Sequence, residues 1–229
     1  MVYNWLTKKH KYCLLCGLKA EQHPLICDGC YRDLPWLGHC CRRCALPITA
    51  PASYCGRCLR KPPQLDFCQS LFYYSYPARE LVSELKFNSN LKIARLLGRL
   101  LAQHLLATGL TQLPQAILPV PLHQQRLKSR GYNQSVEIAR YCADELALPI
   151  IWSGCERYRF TAQQTSLQLE QRHKNLKGAF RVTAALPSSI MVIDDVMTTG
   201  ATLNELAATL HRAGVKHIQG WTICRTVLD

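Results

Sequence analysis

The pattern of apolar and polar residues divides the chain into two parts of different character. Residues 1–60 are rich in turn-forming residues and show little periodicity, which is typical of a small domain that depends on something other than a large apolar core. The segment 61–64, Lys-Pro-Pro-Gln, predicts a short stiff linker. The pattern therefore predicts two domains, residues 1–62 and residues 63–229.

The second part alternates between strand-like and helix-like segments. Short apolar or aromatic runs predict strands at 67–76, 116–120, 150–152, 190–193 and 217–224. Apolar residues at helical spacing predict two helices within 78–108, divided near 88–90, and further helices at 133–146 and 201–212. Because strands and helices alternate, the predicted fold class is α/β, with a parallel sheet flanked by helices.

The apolar pattern also bears on location. No apolar run reaches the roughly 18 residues that a transmembrane helix needs, which predicts no membrane insertion. Residues 1–9 lack the apolar segment of a signal peptide. Together with the abundance of thiols, these features predict a cytoplasmic protein.

The cysteines form a repeated pattern. Nine of the 13 lie within residues 13–58, and eight of these form Cys-x-x-Cys pairs in which the last two pairs repeat the first two at a shift of 28 residues. Paired thiols at this spacing predict structural zinc sites, one or two in number, in a double zinc-ribbon domain. The predicted ligands are Cys13, Cys16, Cys27, Cys30, Cys41, Cys44, Cys55 and Cys58.

The spacing leaves the connectivity of the zinc sites open. The repeat favours sequential sites, in which the first pair joins the second and the third joins the fourth. A cross-braced arrangement, in which the first pair joins the third and the second joins the fourth, remains an alternative. Cys40 is interpreted as a spare thiol, although it could replace Cys41 as a ligand.

The charge of the chain favours an anionic partner. The formal net charge is +13, which two zinc sites of four thiolates each would lower to about +9. Most of the remaining excess lies in residues 69–229. A surplus of this size is typical of proteins that bind nucleic acid or a phosphorylated ligand, although many soluble proteins are merely basic.

One loop contains the residues best suited to bind a ligand. The strand at 190–193 is followed by Asp194 and Asp195, and then by a loop with Thr198, Thr199 and Gly200 that leads into a helix. Ligands of parallel sheets bind at the carboxyl ends of the strands, and the start of a helix suits a phosphate. The order of residues indicates a site for a sugar diol followed by a phosphate.

This segment resembles the phosphoribosyl pyrophosphate (PRPP) motif of type I phosphoribosyltransferases. The resemblance implies that Asp194 and Asp195 hold the ribose hydroxyls, that the loop holds the 5′-phosphate and that Mg²⁺ binds with PRPP. The PRPP-binding residues that it implies are Asp194, Asp195, Val196, Met197, Thr198, Thr199, Gly200, Ala201, Thr202, Pro121, Leu122 and Arg126. The catalytic residues that it implies are Asp194, Asp195, Arg172 and Arg130.

Two further segments extend the resemblance. The run 118–134, with Arg126, Lys128 and Arg130, follows a predicted strand and is similar in position to the pyrophosphate loop of these enzymes. The run 159–180, with Arg172, is similar in position to their mobile hood. With the paired cysteines, these segments resemble the ComF family over nearly the whole chain. That resemblance implies a role in handling single-stranded DNA for transformation or nutrition, alongside other DNA-uptake proteins.

Three functions therefore remain open. The first is a PRPP-binding protein that acts in DNA utilisation, and the second is an active phosphoribosyltransferase of the salvage type. The third is a non-catalytic, zinc-dependent module that binds single-stranded DNA. Residues of the second cysteine repeat would serve such a module by stacking and by contacts with phosphates: Tyr54, Arg42, Arg43, Arg57, Arg60 and Lys61.

Overall fold

A computed structural model describes residues 12–21, 23, 25–49, 51–108, 113–160 and 176–227. The helices within these residues are α1 (Asp28–Arg32), α2 (Gly56–Arg60), α3 (Ala78–Phe87), α4 (Leu91–Ala107), α5 (Gln124–Arg130), α6 (Gln134–Leu146) and α7 (Ala201–Arg212). The strands are β1 (Phe67–Tyr73), β2 (Ala116–Pro119), β3 (Cys155–Arg157), β4 (Phe180–Val182), β5 (Ser189–Met197) and β6 (His217–Arg225). None of these helices is long and apolar enough to cross a bilayer.

Four strands form a parallel sheet in the order β1-β6-β5-β2. The sheet confirms the predicted α/β class. The predicted strand at 150–152 is reduced to one bridge between Ile150 and Ile117. β3 and β4 form a separate antiparallel pair.

Helices cover both faces of the sheet. Side chains of α3, α4 and α6 form one buried cluster with Met191 and Ile193 of β5. Side chains of α7 form a second cluster with Ile190 and Val192, the residues that alternate with them along β5. Alternate residues of a strand point to opposite faces, so this central strand is apolar on both sides, as a covered parallel strand must be.

Each half of the N-terminal region packs with a different cluster. Apolar side chains of the first half, including Leu25, Ile26 and Leu34, belong to the cluster that contains α3, α4 and α6. Buried cysteines of the second half belong to the cluster that contains α7. The linker is also held in place, because the backbone N–H of Gln64 donates to Asn204 Oδ1 over 2.7 Å. The boundary between residues 62 and 63 stays a prediction.

The strand that contains the two acids is longer than its apolar run. The prediction ended the strand at residue 193, whereas β5 continues to Met197 because its ladder with β6 continues to the pair Met197–Arg225. Asp194 and Asp195 therefore belong to the strand, and the connecting loop consists of residues 198–200 only. Hydrogen bonding to a neighbouring strand, rather than side-chain polarity, sets where this strand ends.

The contact between α4 and α6 generates a stability prediction. A methyl group on Gly98 would lie 2.5 Å from the carbonyl oxygen of Ile138 and 2.8 Å from Cβ of Tyr141. Gly98→Ala should therefore lower the free energy of unfolding by about 1–2 kcal/mol, since overpacking outweighs the gain in helix propensity. Thermal denaturation measures the effect, and Gln103→Ala, on the exposed side of α4, is the control. An unchanged or raised melting temperature for Gly98→Ala would contradict this packing.

Candidate ligand site and metal centres

The eight paired cysteines form two groups. Cys13, Cys16, Cys27 and Cys30 have their sulfurs within 4.8 Å of one another, and so do Cys41, Cys44, Cys55 and Cys58. The sites are therefore sequential, as the 28-residue repeat favoured, and the cross-braced alternative is wrong. Both groups use the same local structure, in which the third cysteine precedes a five-residue helix and the fourth lies within it.

The donor set of each group fits a tetrahedral zinc ion. Four sulfurs gathered within a few ångströms and unlinked by disulfides are the ligands of a closed structural zinc site. Burial acts to raise the pKa of Cys13 and Cys41, but backbone N–H donors outweigh it and lower both values to about 7. A lowered pKa favours the metal-binding thiolate at these two positions, whereas burial and the neighbouring thiols raise the pKa of Cys30 and Cys58 in the absence of metal.

Cys40 lies outside both groups, as its interpretation as a spare thiol predicted. Its Sγ donates to Gln69 Oε1 over 3.4 Å, and burial raises its pKa to about 11. A buried neutral thiol behaves as a small apolar residue with a weak donor. Cys41, and not Cys40, is the ligand at this position.

The loop between β5 and α7 has the geometry of an anion-binding turn. Gly200 has a φ of +79°, a left-handed conformation that favours glycine, and a Cβ there would also displace the flexible end of Met197, 2.5 Å away. The N–H of Ala201 donates to Thr199 Oγ1 over 3.2 Å at the first turn of α7. The following N–H groups and the positive end of the helix dipole face the carboxyl edge of the sheet, where they can bind an anion.

Asp194 lies beside this loop with its carboxylate partly satisfied. Its Oδ1 accepts from Ser135 Oγ of α6 and from the backbone N–H of Asp195, both over 3.0 Å. Burial and the neighbouring charge of Asp195 raise the pKa of Asp194 to about 7, against the opposing effect of Lys86. A carboxyl group with such a pKa is only partly ionised near pH 7. Ligand groups that donate hydrogen bonds to it would stabilise its charged form.

Asp195 has a different role in the packing. Its side chain is buried, and its Oδ2 lies 2.8 Å from Nζ of Lys86 at the end of α3. Burial acts to lower the pKa of Lys86, but the charge and hydrogen bond of Asp195 and the charge of Asp194 together outweigh it and raise the value. The two acids, expected to act alike on a ribose, thus have unequal surroundings, with Asp195 in an ion pair and Asp194 next to the loop.

The segment after β2 adds positive charge. Asn133 joins β2 to α6, because its Nδ2 donates to the carbonyl of Val120 over 2.9 Å and its Oδ1 caps the helix at Ser135. On α5, burial and the charge of Arg130 lower the pKa of Arg126. The guanidinium of Arg130 itself donates to Gln134 Oε1 over 2.6 Å.

Arg157, a buried cation on β3, is not among the residues predicted from the sequence. Its side chain is 7% exposed, and burial together with the charge of Arg126 lowers its pKa to about 10, with Asp194 acting in the opposite direction. Arg157 therefore lies within electrostatic reach of both the basic segment and the acid beside the loop. A three-residue strand has no periodicity, so no local signal identified this residue.

The expected ligand-binding residues gather only in part. One cleft is lined by Asp194, Val196, Met197, Thr198, Gly200, Ala201 and Thr202, together with Leu203. Thr199 instead lines a neighbouring cleft, shared with Arg57 and Lys61 of the second cysteine repeat. Pro121 and Leu122 are partly buried after β2. Arg172, expected to be catalytic, lies outside the described residues.

Comparisons with known sequences find relatives over nearly the whole chain. Residues 8–59 match the model of a double zinc ribbon domain. The chain is 41% identical to DNA utilization protein YhgH of Salmonella typhimurium, with 94% of this chain and 97% of that protein covered. It is 33% identical to competence protein F of Haemophilus influenzae, with 87% and 90% covered.

Among solved structures, the chain is similar to a hypoxanthine phosphoribosyl transferase of Trypanosoma cruzi. The two share 10% identity and a TM-score of 0.33, over 66% of this chain and 76% of that one. A TM-score of this size supports no inference about function, so the family assignment rests on the sequence relatives.

The unequal surroundings of the two acids predict opposite effects on stability. Asp194 has a pKa of about 7 in the folded chain against an ordinary value of 3.8, so the folded state binds more protons between these values. The free energy of unfolding therefore falls as the pH rises from about 4 to about 7. Asp194→Asn should remove this fall in the free energy of unfolding. A gain of about 1 kcal/mol would raise the melting temperature at pH 8 by about 2–4 °C in a chain of this size.

The matched substitution Asp195→Asn should do the reverse. It leaves the Lys86 ammonium buried without its partner, which costs about 3 kcal/mol. Thermal denaturation of both variants at pH 5 and pH 8 measures the difference. Equal effects of the two substitutions would contradict the unequal surroundings described here.

Proposed function

Because the chain belongs to the ComF family, whose members include DNA utilization protein YhgH and competence protein F, we propose a role in DNA utilisation. In this role the protein would bind PRPP and handle single-stranded DNA. The PRPP would occupy the cleft at the carboxyl edge of β5. The DNA would contact the cationic surface of the second cysteine repeat. The names of the relatives support the DNA role, and the cleft supports the ligand.

The observation on which this proposal rests most is the turn between β5 and α7. Gly200 in its left-handed conformation, the hydroxyls of Thr198 and Thr202 and the start of α7 surround one cleft. Backbone N–H groups at a helix start bind phosphate without a side-chain charge. In the proposal, this turn holds the 5′-phosphate of PRPP.

The ribose would lie next to the phosphate, against Asp194. Hydroxyl donors from a ribose diol stabilise the charged form of a carboxylate. They would therefore lower the raised pKa of Asp194. Asp195 would act through its ion pair with Lys86, which fixes the end of β5 and keeps a second negative charge from repelling the ligand. Asp194 is therefore the acid that we expect to contact the ribose.

The pyrophosphate end requires positive charge at the opposite side of the cleft. Arg126 and Arg157 would supply it, since Arg126 is partly buried, Arg157 is buried and the charge of Arg126 reaches Arg157. Guanidinium groups form strong charge-assisted hydrogen bonds with phosphates. Arg130, in the segment similar to the pyrophosphate loop, and Arg172, in the segment similar to the hood, remain part of the proposal as expected catalytic residues.

Magnesium would enter with the ligand. Mg²⁺ is usually held by one or two carboxylates together with substrate phosphates, and Asp194 is the acid here that is not committed to an ion pair with a described residue. Such an ion would neutralise part of the phosphate charge, and Asp194 would be its candidate protein ligand. We therefore treat Mg²⁺ as part of the ligand.

The proposed DNA surface lies on the second cysteine repeat. Arg42, Arg57, Arg60 and Lys61 are exposed, and none of the ion pairs found among the described residues includes them. Cations without acidic partners remain available for phosphates. Tyr54, expected to stack on a base, is partly buried with the guanidinium of Arg43 4.9 Å from its ring centroid, so it offers less free ring surface than the sequence suggested.

Isothermal titration of the zinc-loaded protein with Mg²⁺ and PRPP tests the ligand. Asp194→Ala should weaken binding by about 10- to 100-fold, since a hydrogen bond to a charged group is worth about 1.5–3 kcal/mol. Asp144→Ala, which removes an exposed acid of α6, is the control and should leave the affinity unchanged. Absence of binding by the wild-type protein, or equal binding by Asp194→Ala, would contradict the proposed site.

Fluorescence anisotropy with a labelled single-stranded oligonucleotide tests the DNA surface. The logarithm of the affinity should fall linearly with the logarithm of the salt concentration, and Arg57→Gln with Arg60→Gln should reduce the slope by about 1.4, or 0.7 for each lost phosphate contact. Lys92→Gln with Lys216→Gln removes the same charge from other exposed positions and should not change the slope. An equal change in both double variants would assign binding to overall charge alone.

A further inference from the structure

Arg225, the last residue of β6, lies buried between the second cysteine group and the ligand loop. Its side chain is 1% exposed. The Nε atom donates to the carbonyl oxygen of Cys44 over 2.9 Å. One of its terminal nitrogens donates to the carbonyl of Met197 over 3.3 Å, and also to those of Thr198 and Thr226. One guanidinium therefore contacts a metal-ligand residue and the loop at the same time.

The charge of Arg225 needs a partner inside the protein. An arginine side chain keeps its charge when buried, and a buried charge is costly unless it is paired. Among the described residues, none of the ion pairs gives Arg225 a carboxylate. Its Nε donates to the carbonyl of Cys44, so the guanidinium lies against the second cysteine group. A zinc ion with four thiolates has a net charge of −2, which makes the second cysteine group the natural countercharge.

The contacts of Arg225 lie where β5 meets the loop. Its donors satisfy the carbonyls of Met197 and Thr198, at the point where β5 ends and the loop begins. The Met197 carbonyl also accepts from the backbone N–H of Thr226, and together these contacts restrict the peptide planes where the loop begins. A guanidinium can make such contacts in several directions because its donors are arranged in a rigid planar fork.

The two cysteine groups differ in this respect. The first group packs on the sheet domain through apolar side chains of its own half, including Leu25 and Ile26. The carbonyl of Cys44 in the second group is bonded to the arginine that also holds the loop. Because Cys16 and Cys44 occupy equivalent positions of the repeat, the repeat supplies a matched control within one chain.

We propose that Arg225 is a positioning residue that couples the second cysteine metal site to the ligand loop, so that metal in this site orders the loop and ligand in the loop retains the metal. The first half of this coupling concerns the chain alone, whereas the second half rests on the proposed binding of PRPP. Coupling between two sites is reciprocal, so each half predicts the other.

Hydrogen exchange without ligand tests the first half. Cys58→Ser removes one ligand of the second site, and Cys30→Ser removes the equivalent ligand of the first. The amides of residues 198–202 should exchange about fivefold faster or more in Cys58→Ser, within the usual range of coupling between sites, and at the wild-type rate in Cys30→Ser. Equal exchange of this loop in the two variants would overturn the coupling.

Arg225→Lys separates positioning from general stability. Lysine keeps the charge, but one ammonium group cannot reach the carbonyls of Cys44 and Thr198 as the guanidinium does. The variant should retain two equivalents of zinc and wild-type exchange in α4 and α6, while the amides of 198–202 exchange faster. Faster exchange throughout the chain would show a merely structural role and contradict the proposal.

Protection of the cysteines in the wild-type protein tests the second half and avoids any folding defect. Alkylation with N-ethylmaleimide, followed by peptide mass mapping, reports each cysteine group separately. Mg²⁺ with PRPP should slow the alkylation of Cys41, Cys44, Cys55 and Cys58 about fivefold or more and leave that of the first group unchanged. Equal protection of both groups, or protection of neither although titration shows that PRPP is bound, would overturn the coupling.

These experiments distinguish the two ideas. If PRPP does not bind but loop exchange responds to the second site alone, the proposed function fails and the coupling within the chain is supported. If PRPP binds and loop exchange is the same in Cys58→Ser and Cys30→Ser, the proposed function is supported and the coupling is wrong.

Discussion

The parallel pairing of β5 with β6 determines where every part of the candidate site lies. Its last pair, Met197 with Arg225, sets the end of β5 and therefore the start of the ligand loop. The same pairing places the Arg225 guanidinium behind that loop and next to Cys44. Cleft, loop and second cysteine group are close together because one strand ladder ends at this point.

Several charges are buried around this end of the sheet, and each is held by a different interaction. Asp195 is paired with Lys86, Arg225 is bonded to carbonyls, and Asp194 lies near neutrality with a raised pKa. The raised pKa of Asp194 means that burying its charged form costs free energy, and hydrogen-bond donors would recover part of that cost. In the proposed site, ribose hydroxyls would be those donors, and the anionic phosphate would lie at the start of α7.

The parts of this architecture that depend on local interactions could be predicted from the sequence. The 28-residue repeat predicted sequential metal sites because each site is built within one repeat, and apolar periodicity predicted α6 and α7 closely. The end of β5, the ion pair of Lys86 and the positions of Arg157 and Arg225 could not be predicted. Each depends on contacts with residues distant in the chain. A three-residue strand and a single arginine at the end of a strand are too short to show a periodicity that would predict their positions.

A crystal structure of the zinc-loaded protein with Mg²⁺ and PRPP would test the proposed site most directly. We expect the 5′-phosphate within hydrogen-bond distance of the backbone N–H groups at the start of α7, with a ribose hydroxyl donating to Asp194. A phosphate bound elsewhere, or an empty cleft at saturating PRPP, would contradict it.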